Sequence, residues 1–187
     1  MNNHEIVRIL HKYKETKNIF QGCFPADQIQ PLVPNTVTIY NTENSYSNNG
    51  HWVSLFTNEK LSSDNSLSNL IPVYFDPFGN FPENLKLVKQ VLTHAPLMKY
   101  SNVQYQSIFS ELCGLHVIFV TILYCKGISL RKIFSSYYHP CTKTEFLNDK
   151  IVYTALVSDL KKIPSFKNLD EKVFTPLLTG VSNNGST

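Results

Sequence analysis

No stretch of this chain is long and apolar enough to cross a bilayer. The longest apolar run, Leu115 to Cys125, falls short of the roughly 20 residues a spanning helix needs, and it carries His116. The N-terminus, MNNHEIVRILHKYK, is polar and charged and has no secretory signal. The cysteines are few and scattered: Cys23, Cys113, Cys125 and Cys141. With no signal before them they read as reduced thiols in an intracellular setting. No internal repeat is present. Charge of one sign is scarce as well. A net charge of +3 permits an acidic partner but does not demand one.

What is present is a globular composition. A chain of 187 residues can bury one sizeable core. Its 42% hydrophobic and 12% aromatic content argues against a disordered chain. One domain is expected over residues 1–179, with GVSNNGST (180–187) as a disordered tail. The Asn/Ser-rich stretches 41–50 and 58–69 lie between strand-like pieces and read as loops inside that domain.

Periodicity supplies the elements. Ile6, Ile9, Leu10 and Tyr13 predict a helix over residues 4–17. Val37 and Ile39 mark a short strand, and HWVSLF (51–56) and IPVYF (71–75) read as strands. A Pro-containing turn, DPFG (76–79), ends the last of these. Leu85, Val88, Val91 and Leu92 predict a helix over 84–93. Residues 112–126 are apolar all round, and their length favours a buried helix stopped by Gly127. Thr142-Lys143-Thr144-Glu145 resembles a capping box, opening a helix with Phe146, Leu147, Ile151, Ala155 and Leu160 inward. The order predicts an α+β fold, one sheet with helices packed around it.

Three segments carry residues capable of chemistry. His51 opens a strand after a glycine-containing loop. Asp76 stands where a strand passes into a turn. Cys113, followed by Gly114, heads the apolar run FSELCGLHVIFVTILY. Taken singly, each has an ordinary structural explanation: a satisfied histidine, an Asx turn, a buried inert thiol. Together they form a set. A thiol needs a base, and the base needs an acceptor that fixes its tautomer. A His at one strand's start and an Asp at the next strand's end can share one edge of a sheet. A Cys at a helix N-terminus can meet them there, where the helix dipole favours a thiolate and free amides can bind an oxyanion. Gly114 leaves room for a substrate carbonyl.

In order along the chain, Phe20-Gln21-Gly22-Cys23-Phe24-Pro25, Asn41-Thr42, Gly50-His51-Trp52-Val53, Tyr74-Phe75-Asp76-Pro77-Phe78-Gly79, Gln106 and Cys113-Gly114 resemble the adenain family, the adenovirus maturation proteases. The look is closest to the adenain-like proteases of virophages and of large virus-related DNA transposons. The resemblance runs from about residue 18 to residue 126. It implies a central mixed sheet flanked by helices, with a buried helix that starts at the nucleophile, as in ubiquitin-like-protein proteases. It also implies Cys113 as nucleophile, His51 as base and Asp76, in place of the family's Glu, as the group that orients the imidazole. Gln106, seven residues before Cys113, matches the oxyanion donor; Gln104 is a near competitor in the same loop. Trp52 is as readily an ordinary core aromatic as a cleft residue.

What the resemblance implies about function follows. The chain would be a cysteine endopeptidase of viral maturation, cutting capsid and core precursors beside small residues, mostly glycine. Its place would be the virion and the infected cell, in the nucleus or a cytoplasmic virus factory, without secretion, and it would act as a monomer. No cofactor or metal is required. An activating viral peptide or DNA is implied by the family alone. The absence of cysteine between residues 24 and 112 puts covalent activation by a peptide disulfide in doubt. For DNA, the basic residues Lys86, Lys89, Lys99, Arg131, Lys132, Lys161 and Lys162 are spread out and read mainly as solvated helix faces. Cys23, Cys125 and Cys141 read as structural.

Four rivals stand beside this reading. Cys113, His116, His139 and Cys141 could ligate zinc, although the spacing is unfamiliar and leaves His51 and Asp76 unexplained. His116 could replace His51 as the base, but a residue one turn into the buried helix points away from its N-terminal cleft. A ubiquitin-like protein deconjugase, or an acyltransferase of the same fold, would keep the chemistry and change the substrate. A binding-only module would need a degenerate site, and the four positions hold competent residue types.

Overall fold

A computed structural model describes residues 1–47, 50–57, 70–82, 85–95, 97–139 and 145–160. The expected tail, Lys161, Lys162, Cys141 and the 58–69 loop lie outside them. Five strands form one mixed sheet in the order β1-β2-β3-β4-β5. They are β1 (Phe20–Phe24), β2 (Thr36–Asn41), β3 (Trp52–Thr57), β4 (Pro72–Phe75) and β5 (Lys99–Tyr100). The β1–β2 and β4–β5 pairs are parallel, while β2–β3 and β3–β4 are antiparallel. The helices are α1 (Asn3–Leu10), α2 (Leu85–His94), α3 (Cys113–Cys125), α4 (Leu130–Ser136) and α5 (Glu145–Leu160). The α+β expectation, with a mixed sheet flanked by helices and a buried helix starting at Cys113, describes this architecture.

Strand alternation divides the core into two. On β3, Trp52 and Phe56 join the cluster that contains α1 and α3, while Val53 and Leu55 join the cluster under α2. Period-two geometry requires that split. All six residues of β3 are buried because helices cover both faces of the sheet there. Helix α3 buries Gly114 to Ile122 without a break, which is why no polar stripe marks it in sequence.

Several boundaries and faces differ from expectation. The first helix stops at Leu10, not residue 17, and Lys14–Thr16 is a separate 3-10 turn. The Thr16 hydroxyl donates to the carbonyls of Leu10 and Tyr13, at 2.7 and 2.8 Å, and folds the chain back. Helix α4 appears where none was predicted. It is short, capped by the Ser129 hydroxyl on Lys132 N, and anchored by buried Leu130 and Ile133. On α2, Leu87 and Val91 are buried, whereas Leu92 is exposed. Helix α5 is rotated relative to its predicted face. Asn148, Asp149, Val152, Tyr153 and Leu156 turn inward, while Phe146, Leu147 and Ala155 are exposed. Two polar partners cause the rotation: Asp149 bonds His116, and Asn148 bonds the backbone of His139. The residues proposed to cap α5, 142–144, lie outside the described ones.

Candidate active site

The antiparallel pairing of β3 with β4 brings the start of one strand beside the end of the other. His51 stands immediately before β3 and Asp76 immediately after β4. The β2–β3 hairpin fixes the histidine backbone. Thr42 N donates to the His51 carbonyl at 2.8 Å, and His51 N donates to Thr42 Oγ1 at 3.0 Å. His51 Nε2 lies 2.6 Å from Asp76 Oδ1. The carboxylate is almost fully covered, with 4% of its side chain exposed against 19% for the imidazole. Phe78 N also donates to Asp76 Oδ1, at 2.7 Å. The Phe78 ring stacks on the imidazole, with centroids 4.7 Å apart and planes 23° from parallel.

Cys113, half-buried at the first position of α3, lines the same cleft as His51 and acts on the charge of its ring. With Nε2 engaged by Asp76, Nδ1 is the nitrogen left for the sulfur. Burial alone would lower the His51 pKa. The hydrogen bond to Asp76, and the influence of Asp76 and Cys113 on the ring's charge, outweigh burial and raise it to about 9. The ring therefore carries its proton at neutral pH. That is the state a thiolate–imidazolium pair requires.

Helix α3 begins without a side-chain cap. Its first internal bond is made by Leu115 N, which donates to the Leu112 carbonyl at 2.8 Å. The amides of Cys113 and Gly114 precede that bond and stand at the positive end of the helix. A cleft of about 710 Å³ opens there, lined by His51, Trp52, Gln106, Ser110, Cys113 and Gly114 among others. Gln106 is buried, and its Nε2 donates to the Ser110 carbonyl at 2.7 Å. That acceptor places the nitrogen end of the amide and leaves its second N–H for another acceptor. Gln104 Nε2 instead donates to the Gln106 carbonyl, at 2.9 Å. Of the two glutamines, Gln106 lines the cleft.

Trp52 is a core aromatic at the edge of the cleft. It belongs to the core cluster and lines the cleft, and its Nε1 donates to the Met1 carbonyl at 3.1 Å. Gly114 is packed tightly against the same pair. A Cβ there would stand 2.8 Å from Met1 Sδ and 3.3 Å from Trp52 Cδ1. Met1 is a neighbour that sequence reasoning did not propose, because contact of Met1 with Trp52 and Gly114 leaves no local pattern. Thr42 and Phe78 were quoted within motifs but given no role. Their contacts with His51 depend on pairing between segments distant in sequence.

His116, the rival base, lies elsewhere. His116 is fully buried, with Tyr138 Oη 3.1 Å from Nδ1 and Asp149 Oδ1 2.8 Å from Nε2. Both ring nitrogens are thereby occupied, and neither faces the cleft or a metal. Among the described residues no group of three or more His, Cys, Asp or Glu side chains is placed to hold a metal ion.

No protein-family model matches this chain, and neither does any curated protein sequence. Among solved structures, the chain is similar to a crystal structure of the ASFV pS273R protease, at a TM-score of 0.48 and 16% identity over 81% of this chain. It is similar also to the Se-Met form of that protease, at a TM-score of 0.45 and the same 16% identity. In each case it covers 66% of the other chain, just under two thirds of its length.

Proposed function

We propose that this chain is a cysteine endopeptidase that processes viral capsid and core precursors during virion maturation. The observation that carries the chemistry is the imidazole of His51, held by Asp76 at the mouth of a cleft that Cys113 also lines. In the reaction, Cys113 Sγ attacks a peptide carbonyl and the tetrahedral oxyanion forms. The Cys113 amide and the Gln106 side chain would receive that charge. His51 passes its proton to the leaving amine, the thioester remains on Cys113, and water activated by His51 hydrolyses it. Asp76 holds the ring in one orientation throughout. The viral substrates and the preference for glycine-containing sites come from the motif resemblance, and the adenain affinity rests on those motifs.

The same four residues would serve a ubiquitin-like protein deconjugase or an acyltransferase. The DPFG turn and the FQGCFP segment favour the viral protease. The deciding experiment incubates the chain with the major capsid protein of the same genome and maps the products by mass. Wild type should release discrete fragments, and Cys113→Ala should release none. Cleavage by the alanine variant would sink the assignment. Labelling by a ubiquitin-like vinyl-sulfone probe, with no capsid cleavage, would move it to the deconjugases.

A peptide or DNA activator is a separate proposal. Among the described residues, the basic side chains named for DNA do not gather into one patch. Lys86 and Lys89 lie on α2, against one face of the sheet, while Arg131 and Lys132 lie on α4, within the layer on the other.

A further inference from the structure

Gly79 has no chemistry of its own, yet it stands where the two halves of the site meet. The turn Asp76-Pro77-Phe78-Gly79 closes with Gly79 N donating to the Asp76 carbonyl at 2.9 Å. Asp76 and Phe78 hold the imidazole, as described above. Pro77 does something different. Its carbonyl accepts from both Tyr105 N, at 2.8 Å, and Gln106 N, at 2.9 Å. The residue after the carboxylate thus carries the backbone of the glutamine.

Those two bonds need segment 103–106 to lie close across the turn. At Gly79 the approach leaves no room for a side chain. A Cβ there would stand 2.7 Å from the Val103 carbonyl carbon and 2.9 Å from both Gln104 N and Val103 O. All three are backbone atoms, so no side chain can swing aside. The φ of Gly79 is +74°, a region that L side chains also resist.

We propose that Gly79 is a positioning residue for Gln106: its bare α-carbon lets segment 103–106 dock on the turn and so couples the acid–base pair to the oxyanion donor. The inference rests on Gln106 acting as that donor. A side chain at position 79 pushes the backbone of 103–104 away and draws the Tyr105 and Gln106 amides off the Pro77 carbonyl. The side-chain amide of Gln106 moves with them. The Asp76 carboxylate and the Phe78 ring remain on His51.

The test is Gly79→Ala in the full chain, beside Gln106→Ala and the double variant, on a glycine-containing fluorogenic peptide. Gly79→Ala should lower kcat on the order of 10²-fold, the loss expected from removing one oxyanion donor, with little change in KM. Alkylation of Cys113 by iodoacetamide should keep its rate and pH profile, because that displacement develops no oxyanion. The double variant should be no slower than Gln106→Ala within about twofold, since both changes remove the same interaction. Gly127→Ala is the control for backbone strain: its φ is +81° and no atom lies within 4 Å of its would-be Cβ. It should keep wild-type kcat. Additive losses, or alkylation that falls together with kcat, would overturn the proposal. Full kcat in Gln106→Ala would instead remove the oxyanion role of Gln106, while leaving the Cys113–His51 assignment to its own test. If Gly79→Ala does not fold, amide exchange in the unaltered protein decides. The Gly79, Tyr105 and Gln106 amides should open as one unit. Free exchange at Tyr105 and Gln106 beside a protected Gly79 would overturn the coupling.

Discussion

Three of the thiols lie within the described residues, and their surroundings separate them. Burial pushes the Cys23 thiol up to about 12, and burial, with Glu15 adding to it, does the same for Cys125. Cys113 instead shares a cleft with His51, whose pKa is raised to about 9. Iodoacetamide at pH 7 is therefore expected to modify Cys113 well before Cys23 or Cys125, with peptide mass mapping as the readout. Equal labelling of the three would contradict the site. On the proposed mechanism, His51 would set the upper pH limit of activity. Its pKa of about 9 lies above the ordinary 6.5, so the imidazolium persists through neutral pH and is lost as pH rises through about 9. The pair stabilises the fold fully below about 6.5 and loses that contribution over the same rise. Replacing Asp76 with Asn removes a raising influence. The alkaline limb of kcat/KM should move to lower pH and kcat should fall by up to about 10⁴-fold, the loss seen when the acid of a catalytic triad is replaced. An unmoved limb would show that Asp76 does not set the ring's proton affinity.

At the scale of elements, α3 is held by what lies beneath it as well as by the sheet. His116 faces Asp149 of α5 and Tyr138, with no exposure of any of their polar contacts to the cleft. Burial is the main cause of its lowered pKa, and it outweighs Asp149, so the folded ring is neutral. Stability from this residue is present above about 6.5 and is lost as pH falls below it, because the unfolded ring takes up a proton there. Asp149→Ala leaves a buried N–H without its acceptor and should cost about 3 kcal/mol in urea unfolding. His116→Phe combined with Asp149→Leu should recover part of that loss, since it replaces both partners by apolar groups. Activity in folded protein should be nearly unchanged. A large fall in kcat at full stability would give His116 a catalytic part that its position does not support. This pair also explains why the α5 face was misread: apolar periodicity counted Phe146 and Leu147 inward, and a buried Asp–His contact outweighed them.

For the whole molecule, the question is how far surface charge recruits a partner. Among the described residues, the basic side chains named for DNA are divided among α2, β5 and α4, with α2 and α4 on opposite layers, while Arg8, Lys12, Lys14, Lys17, Lys126 and Lys150 are exposed elsewhere. Nonspecific DNA binding needs several phosphates neutralised along one path. Duplex DNA is accordingly expected not to stimulate peptide cleavage at about 0.15 M salt, near physiological ionic strength. A saturable stimulation at that salt would reveal a basic path outside these elements.

Residue types and their order along the chain were enough to nominate Cys113, His51 and Asp76, because the chemistry of each is intrinsic and glycine, proline and aromatic neighbours mark their turns; Gln106 came from the motif resemblance. Helix α3 was legible for a similar reason: an element apolar on every side has no face to misassign. The tertiary structure alone decided the rest. Whether Gln104 or Gln106 lines the cleft depends on a carbonyl four residues further on, at Ser110. The inward face of α5 depends on His116, 33 residues away. The work of Gly79 depends on backbone atoms at Val103 and Gln104. In each instance the deciding partner is brought close by folding, and a local pattern carries no record of it.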